Sequence, residues 1–322
     1  MTEPTPLEVH RAALVIDGHC DSLFVPFGQR RDITTRADFG DVDVPRLLEG
    51  GVTGQFMALL VNDERGGAAR ALEGIDLLYN AIERSRSLTL ATRAEHLREA
   101  KAAGCVAAIL HVEGSDALEG RLSSLRLLHR LGVRSLGLTH NARNRAGDGI
   151  DEAATGGGLS SFGKAVLAEL DRLGMLVDIS HLSPAGVQDV FAQHRLPVIA
   201  SHSNAFAVHP HPRNLSDQEL EQLAATGGVA CVTFVADFLN DGVPTLDHVL
   251  DHIDHMVRVV GPEHVGIGSD FDGFQGVHPT GLEDITCYPA LTAGLLARGH
   301  SPAAVRSIMG GNLLRVIEHA CS

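Results

Sequence analysis

The segment Val15–Ser22 reads V-I-D-G-H-C-D-S. An apolar run, Ala12–Ile16, breaks at Asp17-Gly18 and presents His19 and Asp21 two positions apart. In an extended chain, side chains at i and i+2 point the same way. An imidazole and a carboxylate therefore leave this strand end together. Such a pair is half of a metal site, since Zn2+ takes nitrogen and oxygen ligands readily. One H-x-D triplet decides nothing alone; the deciding question is whether other strands end the same way.

They do. Apolar, β-branched runs near Leu14–Gly18, Val52–Val61, Cys105–Val112, Val133–Thr139, Met175–Ser180, Pro197–Ser201, Gly228–Val235 and Val265–Gly268 read as strands. Between them lie stretches of helical spacing, among them Ala68–Ser85, Ser160–Leu173 and Leu246–Val260. Thr92–Glu95 and Ser216–Glu219 have the capping-box pattern. Ser183-Pro184 and Ser301-Pro302 place proline at a first helical position. Strand–helix alternation implies parallel pairing, and eight strands imply a closed α/β barrel of the (β/α)8, TIM-like type. A doubly wound open sheet is disfavoured, because D-G-H-C-D-S is no glycine-rich phosphate cradle. No linker or repeat divides the chain, so residues 1–322 are expected to form a single domain. Its first strand lies near 14–18 and its last near 265–268, and helices over 282–319 close the far side.

Composition excludes several functions. With 44% apolar and 20% charged residues, the 322-residue chain can bury a full core. Forty acidic against 26 basic residues give a formal net charge of −14, which opposes nucleic-acid and anionic-membrane partners. Five scattered cysteines, Cys20, Cys105, Cys231, Cys287 and Cys321, read as reduced thiols. The opening M-T-E-P-T-P-L-E-V-H lacks the features of a signal peptide, and no run approaches the roughly 18 apolar residues of a membrane span. A cytoplasmic protein is expected, with no membrane partner.

A barrel keeps its chemistry at the C-terminal ends of its strands. Strand one ends in His19 and Asp21, strand three in Glu113 and strand four in His140. Strand five ends in His181, strand six in His202 and strand eight in Asp270. Each is weak alone; together they predict two divalent ions sharing one carboxylate. His19 and Asp21 hold the first ion, His181 and His202 the second, and Glu113 lies between. A water caught by both ions gives hydroxide near neutral pH. Asp270 then carries its proton to a leaving group, and His140 faces the developing oxyanion.

The motifs D-G-H-C-D, H-V-E-G, L-T-H-N, V-D-I-S-H, A-S-H-S-N, H-P-R-N-L-S-D and G-I-G-S-D-F-D-G run from Asp17 towards the closing G-G-N-L-L-R-V at Gly310–Val316. In order and spacing they resemble the renal (membrane) dipeptidase family. The resemblance implies a metal-dependent (β/α)8 hydrolase of the amidohydrolase superfamily that uses two zinc ions to cleave L,L- and L,D-dipeptides. Carried across residue by residue, it implies His19, Asp21, bridging Glu113, His181 and His202 as ligands. It implies His140, Arg213 and Asp270 as substrate contacts, Asp270 also moving the proton. It allows a homodimer. Arg213 makes independent sense, because a guanidinium fork grips the free carboxylate that marks a dipeptide.

The sequence departs from the family in three places. Cys20 stands where Asn is usual, and strand alternation turns it away from its neighbours. The stretch Gln55–Asp63 lacks the usual Trp and Tyr, and Arg143 replaces the Cys of mammalian members. The last two bear on which dipeptide is preferred, not on the reaction.

Other two-metal barrels bridge through a carboxylated lysine, but Lys101 and Lys164 are the only lysines and both fall in helical stretches. A carboxylate-bearing non-peptide amide, β-lactam or lactone is the alternative substrate. A non-catalytic binding protein would be expected to have lost ligands. Among the remaining histidines, His10, His96, His129, His194 and His319 read as surface, and His248, His252 and His255 as one solvated helix face. His111 reads as structural, and Asp272 as a turn or supporting residue. Asp178 lies inside the barrel or supports a ligand, and spacing does not choose between these.

Overall fold

The structure, a computed structural model, describes residues 4–24, 31–61 and 66–321. Nine strands occur among these residues: β1 (Val15–Cys20), β2 (Val52–Leu60), β3 (Leu88–Leu90), β4 (Val106–Glu113), β5 (Val133–Gly137), β6 (Leu176–Asp178), β7 (Val198–Ala200), β8 (Val229–Val232) and β9 (Val265–Ile267). All pairings are parallel, and β1 joins β9 at Asp17 and Ile267 to close the ring. Eight strands form the expected (β/α)8 barrel. The additional β3 lies outside the ring, on the edge of β4 through Leu88 to Val106 and Leu90 to Ala108. Three residues are too few for periodicity to reveal.

Strand β4 shows how sequence sets the layers. Val106, Ala108, Leu110 and Val112 join the large core beneath the surrounding helices. Ala107 and Ile109 belong instead to a second cluster with Leu313, Val316 and Ile317 of the C-terminal helix Asn312–Ala320. On that same inward face, His111 bonds Ser135 Oγ at 3.0 Å, and Glu113 stands last. Period-two alternation thus builds an apolar floor, a polar middle and an acidic mouth. Asn312 ties the floor to the start of β9 by donating to the carbonyls of Pro262 and Val265, at 2.7 and 2.8 Å.

Most helix signals hold. Helices run Gly67–Arg84, Ser161–Leu173 and Leu246–Val260, and the Ser216–Glu219 capping box forms. Ser183 and Ser301 cap their helices in front of proline. The Thr92–Glu95 box does not form. Arg93 occupies the cap without a side-chain bond, and the Thr92 amide donates to His96 Nδ1. No helix among the described residues is long and apolar enough to cross a membrane.

Candidate active site

Every site residue predicted from the sequence reaches one end of the barrel. His19, Asp21, Glu113, His181, His202 and Arg213 are all buried there. Glu113 lies at the centre, and its two oxygens face different neighbours. Oε2 is 3.7 Å from His19 Nε2, while Oε1 is 2.9 Å from His181 Nε2 and 3.7 Å from His202 Nε2. His19 Nε2 also lies 3.5 Å from Asp21 Oδ2 and 3.9 Å from Asp270 Oδ1. His140 stacks on His181 with ring centroids 4.3 Å apart, and its ligand atom groups with those of Glu113 and His181. Asp270 groups in the same way with His19 and Asp21.

The imidazoles are oriented from behind. His181 Nδ1–H donates to Asn141 Oδ1 at 2.6 Å, and His202 Nδ1 meets Ser201 Oγ at 2.7 Å. Each ring then turns Nε2 inward, and these two atoms lie 2.7 Å apart. Lone pairs that close repel unless a cation or a proton lies among them. Burial pushes both imidazoles well below the ordinary histidine range, so protons are poorly held. His19 Nε2 is buried with no hydrogen-bond partner. These donors fit a divalent cation: buried, nitrogen and carboxylate in type, with second nitrogens already engaged.

Electrostatics agree. Burial alone would lower His19, but Glu113, Asp21 and Asp270 push it up to about 10. A proton there stands in for positive charge that the carboxylates require. Burial lifts Glu113 to about 8 against the pull of His19. Asp270 rises to about 7, again from burial, which His19 and Arg213 oppose and Asp21 reinforces. Arg213 donates from Nη2 to the His202 carbonyl at 3.3 Å, and its Nε is buried without a partner. Beside it opens a cavity of about 360 Å³ whose lining includes Ile150, Ile179, Leu182, Phe206 and Leu215.

Other functional positions escaped the sequence reading. A Cβ on Gly273 would lie 2.2 Å from Asp270 Oδ1 and 2.3 Å from Asp21 Oδ2, so only glycine lets those carboxylates approach. The turn or supporting role read for Asp272 in D-F-D-G says nothing of what the following glycine admits. His181 and Asp270 adopt left-handed backbone, with φ of 69° and 64°. Non-glycine residues seldom do so, and such strain concentrates at functional sites.

Asp272 supports the mouth, accepting from Ser22 Oγ at 2.6 Å and the Asp41 amide at 2.8 Å and pairing with Arg31. Cys20 turns away to Met57, Sγ to Sδ 3.6 Å. Arg143 is held by Asp148. Asn62 and Asp63, at the end of the divergent stretch, lie outside the described residues.

Three histidines expected at the surface are buried. His10 is buried between Thr292 Oγ1 at 2.7 Å and the Gly50 carbonyl at 2.9 Å. His194 is buried against Asp171. His252 is fully buried, not part of a solvated face. In each case packing from distant sequence covers a position in or next to a helix that periodicity could not assign.

Fold and site together define a barrel enzyme with a metal-competent mouth. Within that class, the chain belongs to the membrane dipeptidase family (peptidase family M19), whose model matches residues 6–321. It is a hydrolase of this metallo-dipeptidase family, which implies a divalent metal. It is 36% identical to the dipeptidase verJ of Clonostachys rogersoniana over 94% of this chain and 83% of that one. It is 35% identical to the dipeptidase aclJ of Aspergillus oryzae, covering 97% and 80%. Among solved structures, a metallopeptidase from Rhodobacter sphaeroides, liganded with a phosphinate mimic of the dipeptide L-Ala-D-Ala, is similar with a TM-score of 0.88. It is 30% identical, covering 96% of this chain and 99% of that one.

Proposed function

We propose that this chain, as one barrel domain, is a zinc dipeptidase that hydrolyses L,L- and L,D-dipeptides with two ions. His19 and Asp21 would hold one, His181 and His202 the other, with Glu113 shared between them. The observation that carries this reading is Glu113 itself, with Oε2 towards His19 and Oε1 towards His181 and His202. Divalent ions in this nest supply Lewis acidity, acidifying water and polarising a carbonyl oxygen.

The chain's own residues do the rest. Asp270, raised to about 7, can hold a proton near neutrality. Its carboxylate takes the proton of the attacking water as the C–O bond forms, then delivers it to the leaving nitrogen as the C–N bond breaks. His140 donates to the oxyanion that develops on the carbonyl carbon's oxygen. Arg213 grips the C-terminal carboxylate, and the adjoining apolar cavity receives that residue's side chain. The phosphinate mimic of L-Ala-D-Ala bound by the Rhodobacter sphaeroides relative supports acceptance of a D-residue in second position.

The test is amine release from L,L-, L,D- and D,D-dipeptides by zinc-loaded protein, with C-terminally amidated controls. Cleavage of L,L and L,D substrates, with amides refused, is expected. A blank panel from protein holding two metals would transfer the assignment to a non-peptide amide or lactone.

A further inference from the structure

We infer that Ser201 is a shared positioning residue: with Asp178 behind it, its single hydroxyl fixes the tautomer of two histidines on opposite halves of the centre. The inference rests on the ligand assignment above. Ser201 Oγ lies 2.5 Å from Asp178 Oδ2, 2.7 Å from His202 Nδ1 and 3.4 Å from His19 Nδ1. A hydroxyl has one proton to give and two lone pairs to receive with. Asp178 Oδ1 already accepts two backbone amides and Oδ2 faces the serine hydroxyl, so the serine proton goes to the carboxylate. Both lone pairs are then left for imidazole N–H groups, and both rings must carry their proton on Nδ1. His19 and His202 consequently present Nε2, the nitrogen left for a ligand bond, towards Glu113.

Asp178 is fixed for this task. Its Oδ1 accepts the amides of Ser180 at 3.0 Å and Ser201 at 2.9 Å, holding the loops after β6 and β7 together. The carboxylate is buried in the polar middle of the barrel, with His111 Nε2 3.5 Å from Oδ2. His181, the remaining predicted histidine ligand, is oriented separately by Asn141. Ser201 is therefore the point where the two halves share a support. A hydroxyl that orients ligands this way strengthens metal binding without touching metal or substrate.

The test is a competition titration of Zn2+ against a chromophoric chelator, with Co2+ absorption spectra of the same proteins. Ser201→Ala is expected to weaken both metal equivalents, each by about 10- to 100-fold, and to alter the Co2+ bands of both. Asp178→Asn, which keeps an acceptor but loses the charge, should move both equivalents in the same direction by less. Ser201→Thr, which retains the hydroxyl, should restore both and guards against a fold defect in the alanine variant. Ser180→Ala removes a neighbouring hydroxyl that receives the His202 amide and lies 3.5 Å from Ser201 Oγ but reaches neither ring, and should weaken both affinities less than Ser201→Ala does.

Wild-type affinity for both equivalents in Ser201→Ala overturns the inference. Weakening of one equivalent alone overturns the shared support. Wild-type protein that binds no Zn2+ refutes the ligand assignment itself, a separate and recognisable failure.

Discussion

His252 and the three predicted histidine ligands are all buried, and the way each second ring nitrogen is met separates them better than burial does. His252, in the helix Leu246–Val260, is wholly satisfied. Its Nδ1 accepts the Ala205 amide at 3.1 Å, and Nε2–H donates to the Leu239 carbonyl at 3.1 Å. His19, His181 and His202 have Nδ1 engaged from behind and turn Nε2 to carboxylates or another imidazole: His19 Nε2 has no hydrogen-bond partner, and the His181 and His202 Nε2 atoms meet at 2.7 Å. The first arrangement is complete within the protein. The second gathers nitrogen and carboxylate donors at one point, the arrangement that suits a divalent cation.

The strongest attempt to break that contrast removes the proton carrier while leaving the ligands alone. Asp270→Asn should lower kcat about 10²- to 10⁴-fold with metal content unchanged, measured by dipeptide turnover and elemental analysis. Undiminished turnover would deny Asp270 its role. Next in size is Gly273→Ala. The added methyl would press on Asp270 Oδ1 and Asp21 Oδ2 together, and displacement by even part of an ångström costs catalysis heavily. A fall of about 10²-fold in kcat/KM is expected in a protein that still folds. Near-normal kinetics would show that the mouth tolerates movement.

Much of this site was legible because each predicted ligand follows an apolar run that can only be a buried parallel strand. Glu113 stands out at the end of C-V-A-A-I-L-H-V-E for that reason. What was illegible depends on three dimensions. His252 shares a helix with His248 and His255, and only the loop through Ala205 and the Leu239 carbonyl buries it. Gly273 matters because two strand ends converge on it from opposite ends of the sequence. Ser201 reads as a small strand residue until Asp178, His19 and His202 surround its hydroxyl. The left-handed backbone at His181 has no signature in its residue type at all.

The satisfied histidine makes its own prediction, with a definite sign. Burial lowers His252 to about 4, which the bond to the Leu239 carbonyl resists only in part. The unfolded chain, with histidine near its ordinary value of about 6.5, takes up the proton first as pH falls. The stabilisation is therefore complete above about pH 6.5 and is lost as pH falls towards about 4. In chelator-treated protein, urea unfolding should show the stability gap between wild type and His252→Leu narrowing by about 2 kcal/mol from pH 7.5 to pH 5. A gap constant with pH would mean that His252 is not held neutral.

The smallest effect belongs to Cys20, whose place in the sequence between His19 and Asp21 invites a ligand role. Its thiol is buried and meets Met57 Sδ at 3.6 Å, on the side away from the acidic mouth. Burial also pushes the thiol well above its ordinary range, so it is a poor source of the thiolate that binds metal. Cys20→Ala should keep both metal equivalents and wild-type turnover, losing about 1 kcal/mol of stability from the small cavity left beside Met57. Loss of a metal equivalent would place Cys20 among the ligands and blur the line between the two kinds of buried side chain. Retention would show that one strand end, within three consecutive residues, carries both kinds, with the chain's pleat deciding which is which.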